Sequence, residues 1–187
     1  MTAVTTKTLD ASSVAEAAAA IGPHIRRTPT EKSDALSGLA GREVYLKLEN
    51  LQKTGSFKIR GGLNALMHMD ERQRANGVVT ASAGNHGQGV AFAAKLLGVP
   101  ACVVLPIGVP LAKLTAIQRT GAETVLIGES YDEAHAAALE IARERKRSYV
   151  HAFDDDDVIA GQGPWRSSCS TTCRISTRSS SRLAAVA

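Results

Sequence analysis

Aromatic residues are scarce, at 4% of a 187-residue chain that is 44% hydrophobic. Any core must therefore be built from aliphatic side chains and alanine. The length allows one such core or two small ones. Three cysteines do not make a disulfide framework. No apolar run approaches the roughly 18 residues that indicate a membrane span. Met1-Thr2-Ala3-Val4 lacks the basic-then-apolar pattern of a secretion signal, so a cytoplasmic location is expected.

Acidic residues are absent from 164–187, which hold Arg166, Arg174, Arg178 and Arg182. The net charge of +4 therefore belongs to this tail, and residues 1–163 are neutral. A neutral body gives no basic face for nucleic acid, so no such partner is expected.

The remaining sequence is regular. Ser13 and Glu16 have capping-box spacing ahead of an alanine-rich helix. Glu43 to Leu48 alternates and predicts a strand, and Phe57 to Met69 a helix. Strands are predicted at Val78–Thr80, Ala101–Leu105, Glu123–Ile127 and from Tyr149. Helices are predicted between them at Gln88–Leu97, Leu111–Arg119 and Tyr131–Arg145. Short apolar strands alternating with amphipathic helices give an α/β fold with a parallel sheet and right-handed crossovers. The pattern stops at Gly163, and ten Ser or Thr fill the rest without periodicity. Such a segment buries too little apolar surface to offset its ordering entropy.

Two stretches carry candidate chemistry. In Lys53-Thr54-Gly55-Ser56-Phe57-Lys58, a lysine opens a helix after a Gly-Ser turn. The helix dipole and burial both lower an amine's pKa there, and a neutral amine is what Schiff-base chemistry needs. Taken alone, such a lysine is more often a solvated surface group. The second stretch, Ser82-Ala83-Gly84-Asn85-His86, joins a strand to a helix. Ligands bind at the C-terminal ends of strands in open α/β sheets, and a helix N-terminus offers N–H groups to an anion. An ordinary loop capped by Asn85 fits equally well.

Together with Arg27-Thr28-Pro29-Thr30, Gly121-Ala122-Glu123, and the His151–Asp155 and Val158–Gly163 runs, these stretches resemble the fold-type-II pyridoxal-phosphate (PLP) family. The resemblance is specifically to its threonine dehydratases and covers nearly all of 24–163. It implies the N-terminal half of that fold: a small α/β domain at roughly 70–150 plus part of a larger domain. It implies that Lys58 carries PLP and shuttles the substrate α-proton, that Phe57 packs beside the cofactor, and that Asn85 bonds its ring oxygen. Ser82, Ala83, Gly84, Asn85 and His86 would grip the substrate carboxylate. The implied reaction converts L-threonine to 2-oxobutanoate and ammonia, in isoleucine biosynthesis or threonine catabolism, in a homo-oligomer. Serine dehydratase and serine racemase are the alternatives within the family. Its racemases carry a serine where this chain has Ala83, and alanine cannot exchange a proton, so dehydration is favoured.

Asp154 to Asp157 could attract a cation, but four adjacent acids usually form a solvated turn. Cys169 and Cys173 lack the further ligands of a zinc site, so no metal is expected. The family continues beyond Gly163 with a helix, a strand and a glycine-rich phosphate loop, which 164–187 do not resemble. The tail is expected to be a frame-shifted, disordered product. With G or C at third codon positions, the frame starting at the third base of the Pro164 codon can encode a helix, a Val-rich strand and four glycines. The 187-residue chain is accordingly expected to be truncated, to bind PLP weakly and to lack lyase activity. A non-catalytic product is the third reading.

Overall fold

The computed structural model describes residues 9–165. The tail expectation, with Cys169 and Cys173, lies outside the described residues from 166 onward. Pro164 and Trp165 continue past α8 (Asp156–Gln162), and Pro164 is buried.

The chain opens with α1 (Ala11–Ile21). Its capping box is not Ser13–Glu16. Asp10 accepts from Ser13 N, and Ser13 Oγ accepts from Asp10 N. The helix starts three residues earlier because a carboxylate can cap its first N–H groups and complement its dipole. A short antiparallel ribbon follows, β1 (Thr30–Lys32) with β2 (Tyr45–Lys47), spanned by α2 (Asp34–Ala40). Tyr45 is exposed and Leu46 half-buried.

The helix expected from Phe57 is α3 (Lys58–His68), and the short α4 (Glu71–Asn76) leads into the sheet. The strands are β3 (Val78–Ala81), β4 (Ala101–Leu105), β5 (Glu123–Leu126) and β6 (Ser148–Tyr149). Between them run α5 (Asn85–Leu97), α6 (Leu111–Gln118) and α7 (Tyr131–Glu144). All four strands are parallel, in the order β5-β4-β3-β6. No helix among the described residues is long and apolar enough to cross a membrane.

Strand periodicity assigns the two faces. Val79, Ala81, Cys102 and Val104 pack against Ala134, Ala138 and Ala142 of α7. Val78 packs with Val90, Ala93 and Ala94 of α5, and with Leu63 and Leu66 of α3. Val103 and Leu105 meet Ala91 and Ile117, which puts α6 on the same side as α5. The first crossover leads from β3 to β4 and the last returns to the other side of β3. The reversal of direction beside β3 puts its C-terminal end where a ligand crevice is expected.

Small residues bring α3 against α5 and α8. A Cβ on Gly62 would stand 3.2 Å from Val90 N, and one on Gly161 2.6 Å from Arg60 O. Asp155 caps α8 through Val158 N. Asp156 and Asp157 fill its first turn, where the dipole favours acids, so the acidic run serves a helix start.

A buried ionic network joins α3 to the N-terminal segment. Glu49 is fully buried and Arg60 is 5% exposed. The guanidinium donates to both carboxylate oxygens, at 2.8 Å from Nε and 2.8 Å from Nη2. Thr28 Oγ1 donates to Glu49 at 2.5 Å, and Lys47 Nζ to the Thr28 carbonyl at 2.5 Å. Burial pushes the Glu49 carboxyl up. Hydrogen bonds from Arg60 and Thr28 and the charges of Arg60 and Lys47 outweigh this and hold it below the ordinary carboxylate range.

Removing Arg60 leaves a buried charge unpaired. Arg60→Ala is expected to lower the unfolding free energy by about 3–5 kcal/mol, read from urea denaturation at pH 7. Glu49 has a lowered folded pKa. Its share of stability is present above the ordinary carboxylate range and is lost as pH falls through the folded value.

Candidate active site

Lys58 is the first residue of α3, after the Gly55-Ser56 turn. Its side chain is half-buried, and burial lowers the amine's pKa below the usual lysine value. Nζ donates to the Ala152 carbonyl at 3.0 Å and stands 5.3 Å from the Phe57 ring centre. Ala152 follows β6, so residues distant in sequence meet here.

Ser82 follows the last residue of β3 and is buried. Its Oγ accepts from Gly84 N at 3.1 Å and donates to Gly84 O at 3.2 Å. These bonds fold the loop back on itself and leave Ala83 exposed. The α5 N-cap is Gly84, not Asn85, and no side chain caps this helix. Asn85 is the first helical residue, half-buried, and its side chain bonds to no other described residue. The first N–H groups of α5 thus have neither an intrahelical nor a side-chain acceptor.

His86 is 4% exposed, with Nε2 3.3 Å from the Val150 carbonyl. Burial pushes its pKa down to about 4, against the Val150 carbonyl and with the charges of Lys58 and His151. The ring is neutral at pH 7. A carbonyl partner requires the proton on Nε2, which leaves Nδ1 an acceptor, buried with no partner among the described residues.

Lys58 and the 82–86 loop therefore converge on the segment leaving β6, one through Ala152 O and the other through Val150 O. His151 stabilises that segment, its Nδ1 accepting from Phe153 N at 3.3 Å and Asp154 N at 2.8 Å. Direct packing adds a second link. A Cβ on Gly89 of α5 would stand 2.8 Å from the Ile59 N and Lys58 C atoms. Only glycine lets the Lys58 backbone approach α5 this closely.

Phe57, Lys58, Ser82, Ala83, Gly84, Asn85 and His86 had been expected at the site, and they lie on two helix starts and one loop around the end of β3. Four contributions were not anticipated. The Val150–Ala152 carbonyls carry no side-chain signature. Gly89 could have been noticed one turn beyond His86. The Glu49–Arg60 pair lies inside the lysine motif but has no local sign of burial. Lys113 Nζ lies 3.1 Å from the point a Cβ on Gly84 would occupy, and it is 29 residues further along the chain. Among the described residues, no group of three His, Cys, Asp or Glu is placed to hold a metal ion.

Two outcomes test this geometry. Gly89→Ala is expected to cost about 1–3 kcal/mol by overpacking, read as a lower urea midpoint, and to perturb the Lys58 amide in an NMR spectrum. His86 has a folded pKa near 4, below its ordinary 6.5, so the unfolded chain takes up the proton first. Stability should fall as pH drops between those values. His86→Gln should narrow the stability difference between pH 7 and pH 5.

Residues 21–165 match the family described as "Pyridoxal-phosphate dependent enzyme". The chain is 52% identical over 139 residues to an L-threonine ammonia-lyase of Thermotoga maritima, covering 74% of this chain and 35% of that protein. It is 48% identical over 151 residues to a catabolic L-threonine dehydratase of Staphylococcus aureus, covering 80% of this chain and 44% of that one. Its fold superposes on the structure of maize serine racemase with a TM-score of 0.85 and 32% identity, over 90% of this chain and 51% of that one. The chain thus spans less than half the length of these two curated relatives. A matched span that takes in Lys58, the 82–86 loop and the β6 exit places the chain in the pyridoxal-phosphate dependent enzyme family.

Proposed function

We propose that the chain supplies the cofactor-lysine half of an L-threonine ammonia-lyase, converting L-threonine to 2-oxobutanoate and ammonia. The desolvated Lys58 amine at the end of the sheet carries this reading. The residues present fit PLP. Lys58 offers an amine whose charged form burial disfavours. Asn85 offers a side-chain amide without a partner among the described residues, and α5 offers free N–H groups. Once bound, PLP supplies the electron sink that makes the substrate Cα–H acidic.

The protein's own groups do the rest. Lys58 would hold the cofactor and, once the substrate's amino group has released it, would take the α-proton as a neutral amine. The Ala152 carbonyl then receives the ammonium that results, which limits how far it can wander. Asn85 would donate to the cofactor, and Phe57 would line the wall beside Lys58. Ser82, Ala83, Gly84, Asn85 and His86 take the substrate carboxylate on backbone N–H groups and polar side chains. Neutral His86 adds no charge to that loop.

The similarity to a serine racemase makes racemisation the second reading. Ala83 argues against it, because a methyl group cannot pass a proton to the opposite face of the cofactor. Serine remains an alternative substrate for the elimination.

Lys58 is tested by adding PLP to the chain, reducing with borohydride and mapping the modified peptide. The label is expected at Lys58 and is expected to be absent from Lys58→Ala. Label spread over many lysines, or unchanged in Lys58→Ala, sinks the assignment. Ammonia release from L-threonine but not D-threonine is the matching result for activity.

A further inference from the structure

We propose that Lys113 provides the positive charge that the 82–86 loop itself lacks, and that it binds the substrate's carboxylate there. This rests on the reading of that loop as the carboxylate site.

Ser82, Ala83, Gly84, Asn85 and neutral His86 carry no cation, yet an amino-acid substrate brings a full negative charge. Lys113 meets that need from a different element. Its ammonium lies 3.1 Å from where a Cβ on Gly84 would stand, and its side chain is half-buried. It forms no hydrogen bond or ion pair with any described residue. All three N–H donors are open to a ligand.

The position of Lys113 in its own helix sharpens the case. It lies in the first turn of α6, where the macrodipole disfavours a cation. It therefore costs α6 some stability and is offset by no described carboxylate. Local structure alone does not account for a lysine here. The α5 start stands across from it, also uncapped by any side chain. The start of α5 and an unpaired ammonium meet at one loop without a counter-charge, and an anion resolves that conflict. A Cβ on Gly84 would press on Lys113 Nζ, so glycine gives the ammonium room against the loop.

The sheet explains how the residues meet. β3 and β4 are adjacent and parallel, so the segments leaving their C-terminal ends are neighbours. The loop after β3 carries Ser82 to Gly84. The segment after β4 leads to α6 on the same face as α5, and its first turn brings Lys113 over the neighbouring loop.

The test is an amide NMR titration of the 187-residue chain with L-threonine, acetate and L-threoninamide. L-threonine and acetate are expected to shift the Gly84 and Asn85 amides, and threoninamide, lacking the carboxylate, is not. Lys113→Met should weaken binding of both carboxylates about tenfold, and Lys113→Arg should largely restore it. Amide dispersion across the sheet reports whether each variant is folded, and Lys113→Gln serves if Lys113→Met is not. Wild-type affinity in the folded neutral variants, or no shift with either carboxylate, overturns the proposal. The two readings fail separately. Carboxylate binding that needs Lys113, without PLP labelling of Lys58, removes the enzymatic reading only. Labelling at Lys58 with carboxylate binding unchanged in Lys113→Met removes only the role of Lys113.

Discussion

The buried pair of Glu49 and Arg60 is the interaction on which the rest of the arrangement depends. Arg60 sits two residues after Lys58. At about 100° per residue, their side chains leave α3 on nearly opposite sides. Anchoring Arg60 in a fixed two-bond fork sets the roll of the helix and so the direction of Lys58. The same carboxylate takes the Thr28 hydroxyl, and Lys47 reaches the Thr28 backbone. Gln52 adds a reciprocal pair with the Arg26 backbone, accepting at 2.9 Å and donating at 2.8 Å. The β1–β2 ribbon and the start of α3 are thereby held in one register. A buried ion pair is a weak source of net stability but a strong constraint on geometry, because only one arrangement satisfies every donor.

From that anchor the site is assembled by close approach. Gly89 lets α5 touch the backbone of Lys58, and Gly61, Gly62 and Gly161 let α3 settle against α5 and α8. The sheet contributes position more than contact. Its strand order presents the loops after β3, β4 and β6 at one end, beside the start of α3. Burial then tunes the groups placed there, holding the Lys58 amine and the His86 ring towards their neutral forms.

Much of this was legible in the sequence. The four strands and the helices between them follow from runs such as Ala101–Leu105 and from the glycine after Leu97, which takes the left-handed conformation at the end of α5. Lys58 and the 82–86 loop were identifiable because short motifs of unusual composition carry them. Long-range information was not legible. Alternation in β2 gives no sign that Lys47 is buried, or that Glu49 will find Arg60. Nothing local in the sequence links His68 to Asp157, whose Oδ1 lies 3.6 Å from its Nδ1 across α3 and α8. The start of α1 was misplaced because Ser13 and Glu16 imitate a capping box that Asp10 and Ser13 actually form.

Lys58 and His86 are both held by main-chain oxygens, those of Ala152 and Val150. A carbonyl is present whatever residue occupies the position. Substitutions along the segment leaving β6 that keep the His151 bonds therefore do not withdraw the acceptors that hold the amine and the imidazole. The shape and polarity of the surroundings can change there while the amine and the imidazole stay where they are. An architecture of this kind separates the alignment of these two groups from the character of the side chains around them.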